Sequence, residues 1–506
     1  MYKVSELVIR EASIEMLILG ELPLSFIESV AWRHFCSKAK LYKPVSRRTA
    51  TREIVMLYVK KKAAIKKILG KSQQRMSLTT DIWVSNNTGE SYMVIRAHFV
   101  DVDWKLKKMI IRFKHVTDHK GGTICKVLLE CLAEWDIRRI FCITVDNATA
   151  NNTALTKFKK TMKLIGDDAL VLKGEYMHMR CAAPILNLVV KEGLTEVDAS
   201  VTSIRNGIQF VRSSTNRLKS FDLRCDAGKI SRGSLPLDVK TRWNSTYLML
   251  EQAVDGEKKI GPPMSSDWDA AERLIQILAI FYKSTLVLSG STYVTSHKMY
   301  NEIINMARNL TTLNTDTFSD EQLKKKAIAM LGKLKKYWDP FGEGVEMNSV
   351  EAVLLSDSVI QILKDLYDEY SRANLLRKNG GSDSMSSSQS QGSWSQSQEQ
   401  DRSGAYERTV NKTGIQLEDM ENLFDEIVKE TGIHKSSNEL DLYLNEAVET
   451  PHLLKGIEYD VLDWWKLNSG KFPVLSLIAK DILAMQVSSV ASESAFSTSG
   501  RVLDPF

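Results

Sequence analysis

Apolar positions recur along this chain with two different periods, and the change of period divides it. Residues 4–35 show a helical repeat broken at Glu21-Leu22-Pro23, with Leu22, Phe26, Ile27, Val30 and Phe35 on one face. Lys43-Pro-Val-Ser-Arg-Arg-Thr49 predicts a loop, and Ser46 or Thr49 is placed to cap a helix over about 50–70. That helix carries Ile54, Leu57, Tyr58, Ala64, Ile65 and Ile68 on one side. Strand-like patterning then takes over in three segments, about 76–85, 91–101 and 104–116, with turns at Asn86-Asn-Thr-Gly89 and Asp101-Val-Asp103. A helix over about 121–135, a strand over 139–146, a helix over about 148–164 and a short strand over 175–179 follow.

The order β-β-β-α-β-α-β describes an antiparallel meander that passes into parallel strands. Ile140–Val145 is almost unbroken apolar and β-branched, as a strand buried on both faces requires. From Cys181 onward the period is helical: Pro184–Leu223, Ala270–Thr312 and 320–375, with a further helix opened by Thr241-Arg-Trp-Asn-Ser-Thr246 and capped by Asn244 or Ser245. Lys378-Asn-Gly-Gly381 to Gly404 is a Ser/Gln/Gly tract too poor in aliphatic residues to fold, and reads as a disordered linker. Helices are predicted at 415–432 and 438–446. The last block, 458–506, is apolar enough for a helical packing or dimer face, with Trp464, Trp465, Phe472, Leu475 and Ile478. The resulting division is 1–75 (basic, helical), 76–180 (α/β core), 181–377 (all-helical), 378–404 (linker) and 405–506 (C-terminal region).

Composition changes this picture little. The 506 residues are 43% hydrophobic and 26% charged, as in ordinary globular domains. No run approaches the ~20 apolar residues of a membrane span, and Met1–Gly20 is interrupted by charges and does not read as a signal peptide. Cysteines stand at 36, 125, 131, 142, 181 and 225 without C-x-x-C spacing, so they read as small buried hydrophobes in a reducing compartment, and no zinc is expected. Charge is more informative. Net charge is only +6, yet residues 38–75 hold thirteen Lys or Arg against Glu53 alone, whereas Leu417–Asp463 is rich in Asp and Glu. Arg47, Arg48, Lys60, Lys61 and Lys62 are candidate phosphate contacts; the alternative for the lysines is a solvated helix face.

The candidate chemistry is carboxylate. Asp146 closes the buried strand, where an α/β sheet keeps its reactive groups. Asp81 sits within the first strand, in Ser77-Leu-Thr-Thr-Asp-Ile-Trp-Val-Ser85. These stretches, with Leu22-Pro-Leu-Ser-Phe26, Ala97-His-Phe-Val-Asp-Val-Asp-Trp-Lys105, Thr144-Val-Asp-Asn147, Arg180-Cys-Ala-Ala183, Leu186-Asn-Leu188, Thr241-Arg-Trp-Asn-Ser245, Ser492-Glu-Ser-Ala-Phe-Ser497 and Gly500-Arg-Val-Leu-Asp504, resemble the hAT-superfamily transposases, in particular the plant Ricesleeper/Daysleeper-like group. The resemblance runs over nearly the whole chain in the right order. It implies a ribonuclease-H-like core with a mixed five-stranded sheet, interrupted by a large all-α insertion and followed by a helical C-terminal dimerisation segment.

It further implies that Asp81, Asp146 and Glu493 form an acidic triad, and that in an active enzyme they hold Mg²⁺ for phosphodiester displacement. Arg242 and Trp243 match an insertion-domain motif that lies near DNA in active relatives. Three departures qualify the resemblance. Pro184 stands where the family's Arg-Cys-Ala-Ala-His pattern has histidine, and His178, six residues upstream, does not restore it. No paired Cys/His ligands of a BED-type finger are present. Relatives continue past the Gly500–Asp504 motif, so a chain cut short is expected. The expectation is a decayed or domesticated transposase-like protein, nuclear, DNA-binding and dimerising through its C-terminal region as homodimer or hetero-association, without transposition activity and without a membrane partner. The alternative is an active Mg²⁺-dependent transposase.

Overall fold

The computed structural model describes residues 5–71, 74–85, 88–194, 198–227, 235–239, 242–254, 263–290, 292–315, 321–338, 349–380, 438–447 and 459–489. The α/β part is a five-stranded sheet in the order β3-β2-β1-β4-β5, with β1 Met76–Val84, β2 Ser91–Val100, β3 Leu106–Val116, β4 Ile140–Val145 and β5 His178–Arg180. β1, β2 and β3 pair antiparallel; β4 runs parallel to β1, and β5 parallel to β4. This is the ribonuclease-H-like arrangement expected, with an all-helical stretch following it.

One face of the sheet is apolar because alternate positions along each strand point the same way. Leu78, Ile95, Ala97, Ile143 and Val145 share a core with α4 (Gly121–Trp135) and α5 (Thr149–Ile165). α4 docks on β3 through Trp135, whose Nε1 donates to the Ile111 carbonyl at 2.7 Å. Gly121 is needed where α4 meets α5: a Cβ there would lie 2.7 Å from the Ala150 carbonyl oxygen and 2.8 Å from the Thr153 Cβ.

The N-terminal helices are α1 (Glu6–Leu19), α2 (Val30–Lys38) and α3 (Arg47–Lys71). α3 starts earlier than predicted. Ser46 Oγ accepts from the Thr49 amide at 3.2 Å, so Arg47 and Arg48 lie in the first helical turn, not in a loop. Its predicted apolar side is only partly covered: Ile54, Leu57 and Ile65 are half-buried, while Tyr58, Ala64 and Ile68 are exposed.

The helical insertion comprises α6 (Ala182–Leu194), α7 (Asp198–Arg212), α8 (Thr215–Ala227), α9 (Trp243–Val254), α10 (Ser265–Leu288), α11 (Ser296–Thr315) and α12 (Glu321–Tyr337). Leu186, Leu250, Ile277, Phe281, Met306 and Met330 are among the side chains of its core. α9 begins at Trp243, one residue before the predicted caps, so Asn244 and Ser245 lie inside its first turn.

α13 (Ser349–Gly380) follows, and Lys364–Ser476 forms a second compact unit. Within it, α14 (Glu439–Asn445) lends Glu439 to the start of α16 (Pro473–Ala484), where its carboxylate accepts from Leu475 N at 2.7 Å and Val474 N at 3.2 Å. Tyr443 packs on Trp465 at 5.6 Å, Trp465 belonging to α15 (Val461–Asn468), and on Phe472 at 5.5 Å. Leu462, Phe472 and Leu475 are buried here, so much of the apolar content of this block is spent inside the unit. The predicted linker from 381 to 404 and the predicted helix at 415–432 lie outside the described residues.

Candidate functional site

The parallel register of β1 and β4 brings the first two carboxylates together. Leu78 lies across from Ile143 and Thr79 across from Thr144. Two residues further on, by the same period of two, Asp81 and Asp146 stand on one face of neighbouring strands, which are ~4.8 Å apart. Asp146 ends β4 because its side chain takes over the backbone: Oδ1 accepts from the Ala148 amide at 2.9 Å and from Asn151 Nδ2 at 2.5 Å. Asp81 Oδ1 accepts from the Ile82 amide at 2.8 Å.

This face is the polar one. Across from β1, Arg96 faces Thr79 and His98 faces Ser77; on β3, Lys108 faces His98. His98 Nε2 and Thr79 Oγ1 are 3.0 Å apart. Burial, then the charges of Lys108 and Arg96, hold the His98 imidazole down at about 3, so it is neutral. Burial, then Arg96, lowers the Lys108 ammonium to about 8, and burial lowers Arg96 as well. The sequence motifs gave no role to Arg96, His98 or Lys108. The signal lay in the alternation of β2, where Arg96 and His98 occupy every second position of an otherwise apolar strand.

The segment after α16 lies over this polar face. Thr144 Oγ1 donates to the Gln486 carbonyl at 2.6 Å, and Lys108 Nζ donates to Gln486 Oε1 at 2.8 Å. The Ala182 amide donates to the Val487 carbonyl at 2.8 Å, while the Val487 side chain enters the helical core. The Ser489 amide donates to Cys181 Sγ at 3.3 Å. Cys181 is itself level with Asp146, because Val145 pairs with Arg180 and the Cys181 amide donates to the Val145 carbonyl at 2.8 Å. Chain from residues 486–489 is thus fastened to β4, the strand that ends at Asp146, and to Cys181 just after β5. Glu493 lies outside the described residues. Among the described residues no three His, Cys, Asp or Glu side chains are placed to hold a metal ion. Asp81 and Asp146 provide the hard oxygen donors that Mg²⁺ prefers, but two carboxylates leave that set incomplete.

Pro184 occupies the first turn of α6, where a missing N–H is tolerated. α6 follows β5 directly, at the end of the sheet that carries Asp146. His178 is no substitute. It pairs with Ile143, so it is on the opposite face from Thr144 and Asp146, its Nε2 is buried without a hydrogen-bond partner, and burial, then Arg180, lowers its pKa. The strand that contains it spans His178–Arg180 and not 175–179. A tight turn at Val171–Gly174, with Leu172 and Lys173 at φ 46° and 54°, delays the chain's return to the sheet.

The other predicted residues fall into two groups. On α3, Lys60 and Lys61 are exposed. Lys62 is held by Glu134 and lies 5.2 Å from the Trp135 ring centroid, so its ammonium serves the docking of α3 on α4. In the insertion, Trp243 is buried in the helical core. Arg242 immediately precedes it, at the end of a loop clamped by a buried pair. Arg205 Nε and Nη2 donate to the two oxygens of Asp238 at 2.7 and 2.8 Å, and Thr246 Oγ1 donates to Asp238 Oδ2 at 2.9 Å. Ser245 Oγ accepts from the Val239 amide at 2.8 Å and donates to the Arg242 carbonyl at 2.7 Å.

Comparison with known families gives three matches. Residues 79–176 match the ZBED1 RNase-like domain, 179–276 the ZBED1 RNase-like helical domain, and 439–506 the hAT family C-terminal dimerisation region. The Putative AC transposase of Zea mays is 30% identical over 100% of this chain and 63% of its own length. The chain is a homologue of the plant hAT transposase-like proteins. Zinc finger BED domain-containing protein RICESLEEPER 2 of Oryza sativa subsp. japonica is 26% identical over 97% of the chain and 71% of its own length. Zinc finger BED domain-containing protein DAYSLEEPER of Arabidopsis thaliana is 24% identical over 98% and 70%. The chain spans just under two thirds of the length of the maize relatives. No helix among the described residues is long and apolar enough to cross a membrane.

Proposed function

We propose that this hAT-like protein associates with DNA in the nucleus as a dimer and does not carry out transposition. The observation that supports the loss of activity is Pro184. The position that carries the family's imidazole opens α6, next to the end of β4, and proline offers no proton donor there. Nor does His178, which faces the other side of the sheet. Losing a positioned general acid or base lowers the rate by about 10²–10⁴-fold. DNA association is supported by Arg47, Arg48, Lys60 and Lys61 on α3 and by Arg242 on its clamped loop. Such contacts bind phosphate without reading sequence.

A second reading has its own support: Asp81 and Asp146 remain in register, and Glu493 follows Ser489 by four residues, a tether that spans at most ~14 Å. When bound, Mg²⁺ would supply stabilisation of the attacking and leaving oxygens of a phosphodiester. Asp81, Asp146 and Glu493 are the residues that would hold it. Purified protein is first used to select duplexes from a random pool, and the selected DNA is incubated with Mg²⁺ or Ca²⁺. Salt-sensitive binding without strand cleavage, with cleavage recovered by Pro184→His, is the expected result. Mg²⁺-dependent cleavage by the unaltered protein that Asp146→Asn abolishes would establish the active enzyme instead. A fluorescent fusion excluded from nuclei would overturn the localisation.

A further inference from the structure

The helical insertion contains a cavity of about 760 Å³ between α7 and α8, remote from the carboxylates in both sequence and fold element. Its walls follow from helical spacing. Ile204, Ile208 and Val211 recur along one face of α7, and Phe221 and Cys225 along one face of α8. Trp268 of α10 closes one side, and its indole N–H has no hydrogen-bond partner. The size suits an organic ligand of a few rings.

The polar lining is sparse and of one sign. Arg217 and Arg224 are the only charged side chains among the described residues of the lining, none of which is a carboxylate. Both are exposed, seven residues apart on α8, and so mark the rim. The Arg217 guanidinium lies 3.9 Å from the centroid of the Phe210 ring, itself 59% exposed. A guanidinium plane on an aromatic face is a platform on which a third flat group stacks. Asn206 and Asn216 add amide donors and acceptors beside it.

We infer that this cavity is a binding site for a planar aromatic anion: a ring system held against the apolar wall and Phe210, with its acidic group at Arg217 and Arg224. A mononucleotide and an aromatic carboxylic acid share that chemistry. The inference does not rest on the DNA reading, since none of the residues assigned to DNA or metal lines the cavity.

The full-length protein is titrated calorimetrically with 2-naphthoate, with its uncharged analogue 2-naphthalenemethanol, and with dAMP as competitor. One-to-one binding of 2-naphthoate is expected, on the order of tenfold tighter than the alcohol, as one charge-assisted contact provides. The double substitution Arg217→Ala/Arg224→Ala, on exposed positions, is expected to erase that ratio, and Ile208→Trp, which fills the cavity, to remove both ligands. Displacement by dAMP assigns a nucleotide; binding of 2-naphthoate that dAMP does not displace assigns an aromatic acid. Absence of saturable binding of 2-naphthoate and of dAMP, or an unchanged preference for the anion in the double-arginine variant, overturns the proposal. Should Ile208→Trp not fold, the arginine variant decides alone.

Discussion

Replacing Asp238 by alanine is expected to destabilise the helical insertion by about 3–5 kcal/mol. The Asp238 side chain is 1% exposed and that of Arg205 12% exposed. Removing the carboxylate therefore leaves a guanidinium in a nearly dry site, and the Thr246 hydroxyl without its acceptor. At ~2–4 °C per kcal/mol for a domain of this size, the unfolding midpoint falls on the order of 10 °C. The pair itself adds little over an apolar replacement, because desolvating two ions offsets their attraction. Arg205→Met with Asp238→Leu should stay within about 2 kcal/mol of the parent. Burial pushes the Asp238 carboxyl up, but the hydrogen bonds of Arg205 and Thr246 and the guanidinium charge hold it below the usual range. A carboxyl lowered on folding stabilises the fold above its unfolded pKa of about 3.9, and that contribution is lost as pH falls through the folded value. Calorimetric scans of the two variants, with the parent scanned down to pH 3, test this. A cost of under ~1 kcal/mol for Asp238→Ala refutes the buried-pair reasoning.

Three further outcomes follow from the same structure. Lys60→Ala and Lys61→Ala should each reduce the salt slope of DNA binding by about 1, whereas Lys62→Ala should leave the slope unchanged and lower stability by about 1 kcal/mol; equal slopes in all three would refute this assignment. His98, held at about 3 when folded, should make stability rise with pH between about 3 and 6.5, since only the unfolded chain binds a proton there. His98→Gln should flatten that limb in pH-dependent denaturation. Thr144→Val removes the donor to the Gln486 carbonyl and should cost about 1–3 kcal/mol. Hydrogen exchange at residues 485–489 should accelerate if the segment is held as described.

Element order was legible because strand and helix periods differ and the boundaries between them are marked by Asn, Asp and Gly. The first four strands and α4 and α5 fall within a few residues of where periodicity places them. The departures have local causes. Positive φ at Leu172 and Lys173 pushed β5 downstream, and capping by Ser46 drew Arg47 and Arg48 into α3. Trp243 reads equally well as a surface aromatic or as core; only the packing of α9 placed it inside. Arg96 and Lys108 escaped notice because a charged residue in a strand has no meaning until its face is known.

The sequence by itself determined which faces are apolar, where the strands lie, that the basic residues gather before β1, and which motifs relate the chain to the hAT transposase-like proteins. It also supplied Asp81 and Asp146 as candidates. Only the tertiary structure made them neighbours, through a parallel pairing whose register no local pattern encodes. It likewise carried Gln486 onto Thr144 and Lys108, and separated His178 from the carboxylates by one step of strand parity. The reason is physical. Hydrophobic burial is non-directional, so an apolar pattern states that a face is covered without naming what covers it. The partner is chosen by packing and by hydrogen bonds between segments far apart in the chain.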